Sequence, residues 1–172
     1  MFRIMCGAII ILGFTYLGRL LAEKEKSRIT QLNSFCDGLS MLEFNIRYMS
    51  FPMGEAFGKA AECCLEPVRN VFEESAESLE SGYEMSSGEA FCQGMERNKA
   101  KITLSEAEVD ILKSFALSLG KGDKISEIAN IQAAKVRLTA SCKEAVEEVN
   151  KKVKMIKGIS TLVGIFIVIV LL

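Results

Sequence analysis

Residues 32–49 read LNSFCDGLSMLEFNIRYM, and the spacing of their apolar side chains decides the fold. Leu32, Phe35, Leu39, Leu42, Ile46 and Met49 recur at alternating intervals of three and four. That is a heptad seam, a single stripe along one helix that must be covered by other helices. Toward the N-terminus no Gly or Pro intervenes between Gly18 and Gly38, so one helix is expected to run from the N-terminal apolar segment to about Met49 and to stop before Pro52. A matching pattern lies at the other end. Asp123 follows Gly120 and Gly122 as an N-cap, and Ile128, Cys142, Val149 and Ile156 then interleave with Ile131, Leu138 and Ala145. The two long helices outside the apolar ends measure roughly 43 and 52 Å at 1.5 Å per residue. They are expected to pack antiparallel along their seams.

Four shorter helices are predicted between them: Pro52 to Leu65, Pro67 to Leu79, about Ser87 to Ala100, and Ser105 to Leu119. The second carries Val68, Val71, Phe72, Ala76 and Leu79 on one face. In the last, Ser105 and Glu108 form an S-x-x-E capping box, Val109, Leu112, Phe115, Ala116 and Leu119 form the buried stripe, and Gly120 ends it. No sustained β-type alternation appears in this region. The expected fold is all-α, an antiparallel bundle of about six helices whose first and last long helices continue into N- and C-terminal transmembrane segments.

That last expectation rests on charge. Apart from Arg3 and Arg19, every Lys, Arg, Asp and Glu lies between Glu23 and Lys157. Ile4 to Gly18 and Gly158 to Leu172 are free of charge, the latter closing on Ile165-Phe166-Ile167-Val168-Ile169-Val170-Leu171-Leu172. The chain therefore divides into an N-terminal segment at 1–22, a helical domain at 23–157 and a C-terminal segment at 158–172. Fifteen helical residues reach only about 22 Å against a hydrocarbon core of ~30 Å, so the first segment needs Arg19 to snorkel and Leu20, Leu21 and Ala22 to contribute. On the domain side stand Arg19, Lys24, Lys26 and Arg28 before one end, and Lys151, Lys152, Lys154 and Lys157 before the other. Both boundaries place the domain in the cytoplasm and the chain termini across the membrane.

Composition narrows the function. Histidine is absent, which removes imidazole bases and the commonest nitrogen ligand for metals. The six cysteines include no C-x-x-C pair and read as buried thiols. No G-x-x-x-x-G-K-[ST] loop occurs, and acids such as Glu73-Glu74 and Glu147-Glu148 are expected on solvated helical faces. No catalytic residue, cofactor or metal is expected, and the chain is not an enzyme on this reading. The middle region is net negative, with 22 acids against 19 bases, so nucleic acid is not an expected partner. From Leu65 to Glu96 eight glutamates face Arg69 alone. Glu73, Glu74 and Glu77 in this run are candidates for contact with a basic partner, although a solvated helical face gives the same pattern.

The succession of a basic helix, Leu42-Glu43-Phe44-Asn45-Ile46-Arg47-Tyr48, Pro52 and Ala56, then Leu119-Gly120, Asp123 and a lysine-rich helix into Leu162, Gly164 and an apolar tail resembles the stage III sporulation protein AB family. The resemblance covers the chain from end to end. Where that family tends to have a second acid and Thr-Pro-Leu, this chain has Asn45 and Phe51-Pro52-Met53. The family in turn resembles the inner-membrane platform protein of type II secretion and type IV pilus systems. The resemblance implies a membrane platform of the channel complex between mother cell and forespore, with the other stage III channel proteins and a cytoplasmic secretion-type ATPase as partners, and it is compatible with a homo-oligomer. Glu43 and Tyr48, inside the motif, are the second group of candidate contact residues. The alternative reading is a secreted or surface-anchored helical interaction protein with a cleaved leader, which an intact-mass measurement distinguishes.

Overall fold

The computed structural model describes residues 2–81 and 85–171, with side chains described for 23–81, 85–151 and Met155. Six α-helices make up the described chain: α1 (Phe2–Phe44), α2 (Met53–Glu62), α3 (Val68–Glu80), α4 (Ser87–Arg97), α5 (Glu106–Ser118) and α6 (Lys124–Leu171). A π-helical turn, Asn45–Met49, closes α1, and no strand occurs among the described residues. The six-helix all-α expectation is thus met. The helix boundaries fall within a few residues of those read from the caps and prolines.

The chain forms two compact units, one of residues 28–143 and one of residues 1–27 with 144–172. In the second unit the backbones of α1 and α6 continue as helix through the apolar ends. The transmembrane expectation for 1–22 and 158–172 falls outside the described side chains. Among the described residues no helix is long and apolar enough to cross a membrane.

The larger unit is built around five phenylalanines, one from each of α1 to α5. Phe35, Phe57, Phe72, Phe91 and Phe115 are buried, with ring centroids 5.5–6.3 Å apart in a continuous chain from α1 to α5. This spacing lies in the range where tilted and edge-on rings attract beyond their burial. The α1 seam lines the same core: Leu32, Phe35, Leu39 and Leu42 are wholly inside, and Ile46 nearly so. Met49 departs from the expectation and is exposed. The π turn inserts an extra residue into the helical repeat, which rotates everything after Ile46 off the stripe. From α6, the seam residues Ile131, Leu138, Cys142 and Ala145 are buried, Ile128 and Val149 are half-buried, Ile156 lies outside the described side chains, and Ala134 is buried in addition.

The two seams do not simply mate with each other. A Cβ on Gly38 of α1 would lie 2.6 Å from the ring of Phe72 and 2.7 Å from Cys64 Sγ, so that flank of α1 faces α2 and α3. The opposite flank faces α6. Asn33 meets Cys142, Cys36 meets Thr139, Glu43 meets Gln132 and Lys135, and Ser50 meets Lys124. Numbers rise on one helix as they fall on the other, which is the antiparallel arrangement expected.

Two buried polar side chains on α1 hold the loops. Gln31 accepts from Thr103 N at 2.9 Å and donates to Lys101 O at 3.2 Å, and Ser34 Oγ accepts from Leu65 N at 2.8 Å. Each supplies backbone partners that a loop lying on the core would otherwise lack.

Candidate interaction surface

Glu43 lies at the last turn of α1, facing α6. It accepts from Gln132 Nε2 at 2.8 Å, Lys135 Nζ at 3.1 Å and Arg47 at 2.8 Å. Burial pushes its carboxyl up, but the bonds from Gln132 and Lys135 and the charges of Lys135 and Arg47 outweigh that and hold it below its ordinary value. Glu43 is therefore chiefly a tie between helices. Tyr48, one turn on, is 66% exposed and packs its ring against Phe44 at 5.2 Å. Phe44 and Met49 are exposed beside it. Ser50 then takes a left-handed conformation at φ 53° and ends the helix.

Ile125, Ala129, Gln132 and Val136 share one stripe of α6 at spacings of four, three and four. Gln132 is also the edge of the neighbouring line, Gln132, Lys135, Thr139 and Cys142, that meets α1. Ile125 is 77% exposed and Val136 70%. Exposed apolar side chains thus occur on both helices that Glu43 joins, Phe44 and Tyr48 at the end of α1 and Ile125 and Val136 on α6. Exposed apolar residues grouped in this way mark contact surfaces more often than isolated ones do.

The acidic candidates separate. Glu73, Glu77 and Glu80 are exposed, at spacings of four and three along α3, as a solvated face requires. Glu74 does not belong with them: half-buried, it accepts from Asn98 Nδ2 at 3.0 Å and lies 3.8 Å from Arg97, tying α3 to the end of α4. This corrects the expectation that Glu73-Glu74 both sit on a solvated face. Glu147 and Glu148 are exposed as expected. Arg69, the one base in the acidic run, turns its Nε to Cys64 O at 3.0 Å and is spent on the backbone. Glu43 engages α6 and Glu74 engages α4, so the two candidate groups belong to different contacts.

Two functional-looking groups were not read from the sequence. Glu108, expected only as the acid of a capping box, is 1% exposed and accepts three bonds from Arg28, at 3.0, 3.1 and 2.7 Å, besides one from Ser105 N at 2.7 Å. Asn45 in the π turn is 3% exposed, and its Nδ2 has no hydrogen-bond partner. The cysteines also differ from expectation. Among those described none is in a disulfide; Cys64 and Cys142 are buried, Cys36 and Cys92 half-buried, and Cys63 exposed because it follows the last turn of α2. Cys6 lies outside the described side chains. Among the described residues no group of three or more His, Cys, Asp or Glu could hold a metal ion.

A model of the Stage III sporulation protein AB family matches residues 3–172. Stage III sporulation protein AB of Bacillus subtilis (strain 168) is 27% identical over 172 residues, the full length of both chains. A solved structure of Stage III sporulation protein AB superposes with a TM-score of 0.67 at 27% identity, covering 72% of this chain and 97% of that one. The resemblance carried by the Leu42–Tyr48 motif and the order of elements around it is borne out: the chain belongs to the stage III sporulation protein AB family, a component of the sporulation machinery.

Proposed function

We propose that this chain is a non-catalytic membrane platform of the sporulation channel between mother cell and forespore, with its helical domain in the cytoplasm. The observation that carries the reading is the continuity of the two longest helices. α1 and α6, of 43 and 48 residues, run without a break from the larger unit through both charge-free ends of the chain. A helix satisfies its own backbone hydrogen bonds, as a segment entering lipid must. The lysines and arginines on the domain side of both ends support the orientation.

The platform role also fits how the polar chemistry of the domain is used. Glu43, Glu74 and Glu108 tie helices to one another, and the surfaces left over suit contact rather than turnover. The partners on this reading are the other stage III channel proteins and a cytoplasmic secretion-type ATPase, by the likeness of the family to secretion platform proteins. The test is recovery of the tagged full chain, solubilised from membranes of sporulating cells. Co-recovery of an ATPase and of further membrane proteins, lost when the two apolar ends are removed, is expected. A chain found in the soluble fraction, or secreted and about 20 residues short at its N-terminus, contradicts the reading.

A further inference from the structure

The bases beside the two charge-free ends sort by whether an acid stands near them. On a helix the neighbours of a side chain lie three and four positions away. Arg19 and Lys26 have Glu23 at those distances, Lys151 has Glu147 and Glu148, and Lys152 has Glu148. Lys24, Lys154 and Lys157 have no acid at any of those positions, although α1 and α6 are helical through all three. Lys24 is exposed and makes no ion pair or hydrogen bond among the described residues. Depth separates the bases as well. At 1.5 Å per residue Lys24 stands about 3 Å beyond Ala22, Lys157 adjoins the charge-free stretch from Gly158, and Lys154 lies about 6 Å from it. The headgroups add roughly 5–8 Å to each side of a hydrocarbon core, so on the membrane reading these three lie at headgroup level. Lys151 and Lys152, with acids beside them, lie about 9–10 Å out.

We infer that Lys24, Lys154 and Lys157 bind the phosphates of anionic phospholipids. This rests on the membrane reading proposed above and names the lipid that the domain side of the chain takes. A lysine at headgroup depth lays its stem along apolar surface and holds its ammonium among the phosphates. Where its own helix offers no carboxylate, the counter-charge comes from the lipid. An acid beside a base competes with the lipid and is itself repelled by an anionic surface, and no acid occurs before Glu23 or after Glu148. Each lysine so placed favours an anionic over a neutral surface by about fivefold. The occupant is a lipid because both helices continue without a break into charge-free segments, which sets the three lysines at the depth where the surrounding molecules are phospholipids. Free phosphate presents the same oxygens without the acyl tails.

The experiment places the full chain in phosphatidylcholine vesicles and measures, by electron spin resonance, how much of a trace of spin-labelled phosphatidylglycerol or of spin-labelled phosphatidylcholine the protein immobilises. Several-fold preference for phosphatidylglycerol is expected, falling with salt as the Debye length shortens from about 8 Å at 0.15 M to about 3 Å at 1 M. The chain carrying K24Q, K154Q and K157Q should lose most of that preference, and the one carrying K26Q, K151Q and K152Q should keep most of it. K24R with K154R and K157R should restore it, since the charge is retained, and unchanged helical signal shows that each variant folds. Inorganic phosphate should displace no more lipid than a neutral salt of equal ionic strength. Equal association of the two lipids, an equal loss in both glutamine triples, or displacement by inorganic phosphate beyond the salt control overturns the inference. Flotation separates the two levels of the argument: a chain that floats with the vesicles but shows no preference ends this inference alone, and a chain that does not float ends the membrane reading with it.

Discussion

Arg28 and Glu108 stand 80 positions apart and meet in an ion pair whose acid is 1% exposed. Burial pushes the Glu108 carboxyl up, yet the bonds from Arg28 and from Ser105 hold it below its ordinary value. Glu43 is held down in the same sense. A carboxyl depressed in the folded state contributes stability that is present above the unfolded value of about 4.3 and is lost as pH falls through the lower folded value. Glu108→Gln should therefore cost about 2 kcal/mol at neutral pH, because Arg28 keeps its charge without its partner. It should also flatten the loss of stability on acidification. Thermal melting of the full chain across that acid range reads both effects. The thiols divide by environment as well. Burial pushes Cys64 up to about 11, and its Sγ donates to Ala60 O at 3.2 Å, whereas Cys63 beside it is exposed. A thiol-directed reagent at pH 7 should modify Cys63 in the folded chain and spare Cys64, with mass spectrometry of the peptide locating the adduct.

Helices α3 and α4 approach through Gly94. A Cβ there would sit 2.5 Å from Val71 O and 2.8 Å from Ser75 Oγ. Gly→Ala inside a helix ordinarily gains about 1 kcal/mol of propensity. Here the atom in the way is backbone, so overpacking of about 1–3 kcal/mol outweighs the gain, and Gly94→Ala should lower the melting temperature. Leu39 and Leu138 are both fully buried in the seams. Leu39→Asp or Leu138→Asp, each losing about 2 kcal/mol of apolar burial before the penalty for burying a charge, should unfold the larger unit, and exposed Glu147→Gln should not. Equal melting temperatures for the three would show that the seams are misplaced. Much of this level was legible. Three-four spacing located Leu32 to Ile46, the Ser105 and Glu108 box located α5, and Gly120, at φ 76°, ended it. Ser86 and Glu89 carry the same box and start α4, a signal present in the sequence but not read. The expected end at Ala100 overshoots: α4 is capped at Asn98, whose amide is committed to Glu74 and Gly94. The π turn has no periodic signature until its consequence, an exposed Met49, is seen.

At the scale of the whole chain, the family was legible because its marks are distributed: charge-free ends, a motif at Leu42–Tyr48 and a fixed order of helices. The candidate surface was legible only by half. Glu73 and Glu77 are exposed as their period implies, but Glu74, adjacent in sequence, points to α4, and Glu43 is taken up by Gln132 and Lys135. No local pattern distinguishes a glutamate on a helix face from one reaching another helix, since the partner is 24 positions away for Glu74 and 89 for Glu43. Arg28 shows the same ambiguity: counted among the bases flanking a membrane segment, it is the partner of Glu108. The bases left to set the proposed orientation are Arg19, Lys24 and Lys26, and the four lysines from Lys151 to Lys157.

The membrane-held, cytoplasm-facing arrangement is tested most directly by labelling cysteines placed on the two sides that it defines. In intact cells producing the full chain without its native cysteines, one cysteine is added after Leu172 and, in a separate chain, one replaces Lys121 in the loop before α6. A reagent that cannot cross membranes should label the first and miss the second until the cells are opened. Labelling of Lys121→Cys with protection of the terminal cysteine, or equal labelling of both in intact cells, would contradict the platform reading.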